Sequence, residues 1–145
     1  MILNKTTEYA LTILGFMAVS DEEIFSAEYL HEKLAIPRRY LRKLMTDLSR
    51  IGLIKSEKGR SGGFVFARPL EEISLSYIIE TVEGNSVMGS CLIGHTSCNL
   101  DQPCIMHDTW SEAKSKMIET LSNTTLLDLR AKNHLKKSLP DALNN

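Results

Sequence analysis

Nowhere in its 145 residues does the chain approach the run of about 18 apolar residues that a membrane-crossing helix needs. Its opening, MILNKTTEYA, lacks the basic head, apolar middle and small-residue cleavage site of a signal peptide. The expected compartment is therefore the cytoplasm, and no membrane partner is expected. Internal repeats and low-complexity segments are absent too. An overall excess of charge is lacking, since the formal net charge is −1, which alone would not point to a polyanion. Cysteine is scarce, with three in the chain. An odd, small number in a reducing compartment argues against structural disulfides and towards metal binding or redox chemistry. The 43% apolar and 24% charged residues are ordinary for a globular chain. They allow one domain with a core, or a small domain plus an appendage.

The near-zero total hides a segregation. Between residues 33 and 60 lie Lys33, Arg38, Arg39, Arg42, Lys43, Arg50, Lys55, Lys58 and Arg60, opposed only by Asp47 and Glu57. Such a window suggests a polyanion-binding face on a mildly acidic body. Around it, apolar spacing predicts a helix over 5–20 with Asn4 as cap, and a polar break, SDEEIFS. A short helix capped by Ser26 follows, with Leu30 and Leu34 inward. A third helix runs to Gly52, with the stripe Leu41, Leu44, Met45 and Leu48 inward and the basic residues largely on the other side. Two β-rich runs, 53–57 and 64–68, flank KGRSGG, whose glycines suit a turn. ISLSYIIETVEG reads as a helix between Ser74 and Gly84. Residues 85–103 have no period. Helical spacing returns at Ile105, Trp110, Ala113, Met117 and Leu121, and NTTLLDLRAKN can cap a last short helix before a loose tail.

The expected fold class is thus mainly α with a small β-hairpin, a winged helix-turn-helix plus a long C-terminal helix. A helix fits the major groove of double-stranded DNA, where base edges carry a distinguishable pattern. Candidate DNA-binding residues are Arg38, Arg39, Tyr40, Arg42 and Lys43 at the helix start. Thr46 and Arg50 would meet phosphate, and Lys58, Arg60 and Ser61 at the hairpin tip would meet the adjacent groove or backbone. The expected divisions are a DNA-binding domain over 1–84, a cysteine-rich loop over 85–103, and a helix with tail over 104–145.

All three cysteines fall within SCLIGHTSCNLDQPCIMHDTW, residues 90–110. The pattern is Cys91, six residues, Cys98, five residues, Cys104, two residues, His107. Three thiolates and an imidazole make four ligands suited to zinc or to an iron–sulfur cluster. Zinc sites usually include a tight pair of cysteines two residues apart, and none exists here. Spacing alone does not separate the two metals. No oxyanion site or base-orienting group accompanies the cysteines and histidines, so an enzyme is not expected.

Over roughly residues 1–131 the sequence resembles the IscR/NsrR family of winged-helix transcription regulators. The resemblance is carried by MILNKTTEYAL, by IPRRYLRKLMTDLSRIGLIKSEKGRSGGFVFARP, by ISLSYIIETVEG and by CIMHDTWSEAKSKMIETLSNTTLLDL. The last of these is similar to the IscR type. The resemblance implies a homodimer held by a helix over about 104–122, binding a palindromic operator. It implies a cluster near the dimer interface ligated by Cys91, Cys98 and Cys104. With His107 as fourth ligand the IscR-like reading favours 2Fe–2S over 4Fe–4S, with zinc less favoured. Glu8 is the alternative fourth ligand, as in the NsrR-like branch. Arg39, Arg42 and Lys58 fall where the IscR type contacts bases or grooves. Two departures stand out: six residues separate the first two cysteines where the IscR type has five, and a carboxylate occupies position 8. Some relatives carry no cluster and respond to a protein partner, which gives the alternative reading.

Overall fold

Helix α1 (Lys5–Val19) begins where the side chain of Asn4 accepts the Thr7 amide at 2.9 Å. That bond satisfies one of the four amides a helix start leaves open. The computed structural model describes residues 3–84, 91, 93 and 103–132. Most of the expected loop over 85–103 and the expected tail after 132 therefore lie outside the described residues. Ala10, Ile13, Leu14, Met17 and Ala18 line the buried face of α1. The spacing is that of one helical stripe.

Helix α2 (Ala27–Leu34) is capped by Ser26, which accepts the Tyr29 amide at 3.0 Å. It ends at Ala35, whose φ of 55° is left-handed without a glycine. Such a residue costs about 1–2 kcal/mol. His31 is half-buried, and its Nδ1 lies 2.6 Å from the Ile36 carbonyl oxygen. A carbonyl can only accept, so Nδ1 carries the proton. That bond and the inward Ile36 hold the turn that leads into helix α3 (Arg38–Arg50). Leu41, Leu44, Met45 and Leu48 are the buried residues of α3, as the stripe predicted. Each such side chain contributes roughly 1.5–3 kcal/mol by leaving water.

Strands β1 (Ile54–Glu57) and β2 (Gly63–Phe66) pair antiparallel, with Ile54 opposite Phe66 and Glu57 opposite Gly63. The polar break between α1 and α2 holds more than a turn. Phe25 is 1% exposed and exchanges backbone hydrogen bonds of 2.9 and 2.8 Å with Phe64. This bridge seats the hairpin on the helical core. It also requires Gly63, where a Cβ would lie 2.6 Å from the Phe25 carbonyl oxygen.

A 3-10 turn (Leu70–Glu72) precedes helix α4 (Leu75–Glu83), capped by Ser74 and closed by Gly84 at φ 84°. Helix α5 (His107–Asn123) packs on α4. It starts three residues later than the expected 104, because Cys104–Met106 form a turn in which the His107 amide donates to the Cys104 carbonyl at 3.0 Å. Helix α6 (Leu126–Lys132) then returns to the first half of the chain. Leu126 is fully buried in the same core as α1, and its amide donates to the Ile73 carbonyl at 2.9 Å. Among the described residues the architecture is six α-helices and one two-stranded sheet, in which the hairpin follows α3 as a wing. No helix among them is long and apolar enough to cross a membrane.

Candidate nucleic-acid interface and cysteine segment

The start of α3 concentrates positive potential. Its cap position is Pro37, with no side-chain bond to the open amides and no acidic residue in the first turn. A helix start of this kind favours anions. Burial of the leucine stripe turns Arg38, Arg39, Arg42 and Lys43 outward, and all four are exposed. Farther along, Arg50 lies 3.3 Å from the Asp47 carboxylate and Lys43 lies 4.0 Å from it. Single-contact pairs this exposed are worth little and yield readily to a phosphate, unlike a bidentate arginine–carboxylate pair. The Thr46 hydroxyl donates to the Arg42 carbonyl at 3.0 Å within its own helix.

Two of the sequence candidates sit differently from the rest. Tyr40 is half-buried: its ring meets Tyr9 edge-on at 5.2 Å, and its hydroxyl lies 2.6 Å from that of Thr6. Arg38 is exposed but gripped by Glu28 of α2. Its Nε donates to Oε2 at 2.9 Å and its Nη2 donates to Oε1 at 2.5 Å. The hydrogen bond from Arg38 holds the Glu28 carboxyl below its usual range, and the same bond raises Arg38. Sequence reasoning did not single out Glu28. Its one sequence signal is an acid in the first turn of a helix, which the dipole alone would explain.

At the wing tip Lys58, Arg60 and Ser61 are all exposed. The hairpin is held near its tip by the bridge of Phe25 to Phe64. Past its base, Arg68 lies 5.3 Å from the Tyr77 ring of α4, within cation–π range.

The cysteine segment is described in part. Cys91 and Cys104 are half-buried, and Cys98 lies outside the described residues. His107 is the first residue of α5 and is half-buried. Glu8 is exposed on α1, where its carboxylate accepts from Lys5 at 2.9 Å. Among the described residues no three His, Cys, Asp or Glu side chains converge as a metal site. The donor set itself is chemically apt: two thiols and an imidazole border the segment that carries the third thiol, and thiolates suit soft metals and clusters.

A helix-turn-helix with an outward basic second helix and a glycine-rich wing defines the class, a winged-helix DNA-binding regulator. Over residues 3–132 the chain matches the family described as Rrf2, iron-dependent transcriptional regulator, and it belongs to that family. It is 30% identical over 131 residues to the HTH-type transcriptional regulator NsrR of Oceanobacillus iheyensis, with 89% of each chain covered. Its fold is similar to that of CymR, the global cysteine regulator of B. subtilis, with a TM-score of 0.74 and 24% identity over 91% of this chain and 98% of that one. The T. potens IscR structure is similar at a TM-score of 0.71 and 22% identity, covering 94% and 91%. These relatives are transcriptional regulators, not enzymes.

Proposed function

We propose that this regulator acts as a homodimer whose affinity for a palindromic operator is set by an iron–sulfur cluster on Cys91, Cys98 and Cys104. His107 is the fourth ligand of a 2Fe–2S cluster in this reading. Glu8 is the alternative, which would favour 4Fe–4S. The single observation that carries the proposal is the chain's order of parts. A basic winged helix-turn-helix ends at Gly84, and a three-cysteine segment separates it from α5, with His107 tied by its backbone to Cys104. The family's description as iron-dependent supports it.

When bound, the cluster supplies a group that oxidation, nitric oxide or iron shortage can alter. The chain's own residues do the rest. Arg39, Arg42 and Lys43 face the DNA with Arg38 and Tyr40 beside them, and Lys58, Arg60 and Ser61 reach from the wing. In the proposed division, 1–84 binds DNA, 85–103 binds the cluster and 104–145 holds the dimer and tail. Helix α5 supports a second copy, because none of its residues is fully buried within one chain. Ile105, just before it, is 95% exposed. A two-fold dimer reads two half-sites about one helical turn apart.

Linkage then makes the signal quantitative. If the cluster's state biases the spacing or tilt of the two α3 helices, operator affinity changes by a coupling of about 1–3 kcal/mol. The test is operator binding by wild type with and without cluster, beside the triple variant Cys91→Ala, Cys98→Ala, Cys104→Ala. The variant should bind with one fixed affinity and no response to cluster-destroying oxidants. A variant that keeps the wild-type affinity and response would end the cluster reading. It would leave a structural zinc loop, or control by a protein partner, as the account of this segment.

A further inference from the structure

Arginine offers two edges that each carry a pair of donors, one made by Nε and Nη2, the other by Nη1 and Nη2. At Arg38 the first edge is already taken. Glu28 Oε2 accepts from Nε at 2.9 Å, and Glu28 Oε1 accepts from Nη2 at 2.5 Å and from Nε at 3.2 Å. The grip crosses between helices, from the first turn of α2 to the first residue of α3. Among the described residues, Arg39 and Arg42 form no such pair, although the Glu28 carboxylate also feels Arg42. One carboxylate therefore stands among the arginines of the helix start and fixes the orientation of just one of them.

We propose that Glu28 is a positioning residue that sets the sequence preference of α3: it holds Arg38 with only its Nη1–Nη2 edge outward, aimed at a guanine edge and withheld from the phosphates. This rests on the reading that α3 enters the DNA groove, and it deepens that reading by naming a specificity determinant outside the helix.

The physical logic is a difference of affinities. An unheld arginine sweeps a wide volume and can pair with any nearby phosphate, which strengthens binding to every sequence alike. Held from the side, it loses that freedom before DNA arrives. Its remaining edge matches the two acceptors of guanine, O6 and N7, and no other base offers that pair in the major groove. The carboxylate also repels phosphate, so a wrongly placed backbone meets a like charge at the helix start. Glu28 thus lowers non-specific binding while sharpening choice at one base pair. Substitution there is expected to leave the fold intact, since both side chains are about half exposed, 45% for Glu28 and 59% for Arg38.

The experiment uses the full chain, with duplexes selected by wild type from a random-sequence pool as specific probe and the unselected pool as competitor. Glu28→Gln should bind the unselected pool more tightly and reduce the preference for selected duplexes about tenfold. The slope of log affinity against log salt should steepen by about 0.9 as the released Arg38 gains a phosphate. Sequences selected afresh by Glu28→Gln should lose a guanine at one position of each half-site. In an Arg38→Ala background, Glu28→Gln should cause no further loss of preference. The proposal is overturned if Glu28→Gln shifts both probes by one factor and leaves the salt slope unchanged, because the carboxylate is then only a distant charge. A wild-type chain with no preference for selected duplexes overturns the groove-reading assignment and this proposal together. Preference intact in wild type and unaltered in Glu28→Gln overturns this proposal alone.

Discussion

Tyr40 of α3 and Thr6 of α1 share a hydrogen bond of 2.6 Å between their hydroxyls. The bond joins the start of the chain to the helix proposed to face DNA, and Tyr9 meets the Tyr40 ring edge-on at 5.2 Å. Tyr40 is thereby committed to packing, while Arg39 beside it is exposed.

The two neighbours should separate in experiment. Tyr40→Phe removes the shared bond and should lower stability by about 0.5–1.5 kcal/mol while leaving sequence preference intact. Arg39→Ala should leave the melting temperature near wild type and cost about 1–3 kcal/mol in binding selected duplexes. Thermal melts and titrations with a labelled duplex read both effects. A loss of preference in Tyr40→Phe as large as in Arg39→Ala would put the tyrosine on the bases.

Gly63→Ala should unseat the wing. The added Cβ would lie 2.6 Å from the Phe25 carbonyl oxygen, a backbone atom that cannot swing aside. Overpacking of this order costs about 1–3 kcal/mol. Hydrogen exchange should show faster opening at the Phe25 and Phe64 amides, with α3 amides affected least. Unchanged protection at both would mean that the bridge does not hold the hairpin.

Leu126→Ala tests whether the last helix belongs to the first half of the chain. The side chain is fully buried beside α1 residues. Its truncation should cost about 2–5 kcal/mol and lower a single unfolding transition. Two separate transitions, with only one moved, would instead mark the C-terminal part as an independent unit.

Asp128 should give a defined acid limb. The backbone and side-chain hydrogen bonds from Thr125 hold its carboxyl below the usual value. A carboxyl lowered in the folded state contributes stability above its unfolded value, about 3.9, and loses it as pH falls through the folded value. The melting-temperature gap between wild type and Asp128→Asn should therefore be full at pH 6 and shrink steadily below about pH 4. A gap independent of pH would mean that the cap works through its geometry and not its charge.

Much of the fold was legible because local physics repeats along the chain. The stripe Leu41, Leu44, Met45 and Leu48 became the buried face of α3, and Asn4, Ser26 and Ser74 each cap the helix expected of them. What escaped depends on pairs distant in sequence. Phe25 sits in a run of polar residues, and nothing local shows that its backbone bonds Phe64. Glu28 looks like an ordinary first-turn acid until the turn at Ala35 brings Arg38 to it. The late start of α5 also escaped, because apolar spacing from Ile105 onward does not register the Cys104 turn. At the candidate site the basic face could be read from charge and periodicity together. Which arginine is held, and which tyrosine is packed, could not.

The central claim is that the three cysteines hold an iron–sulfur cluster, and the most direct measurement is of the protein purified without oxygen. Its absorption spectrum should be recorded with iron and acid-labile sulfide determined on the same sample. The account predicts a brown protein with sulfide equal to iron and two irons per subunit, with the spectrum altered in His107→Ala and not in Glu8→Ala. A colourless protein that contains zinc, or that takes up neither iron nor sulfide on reconstitution, would contradict it.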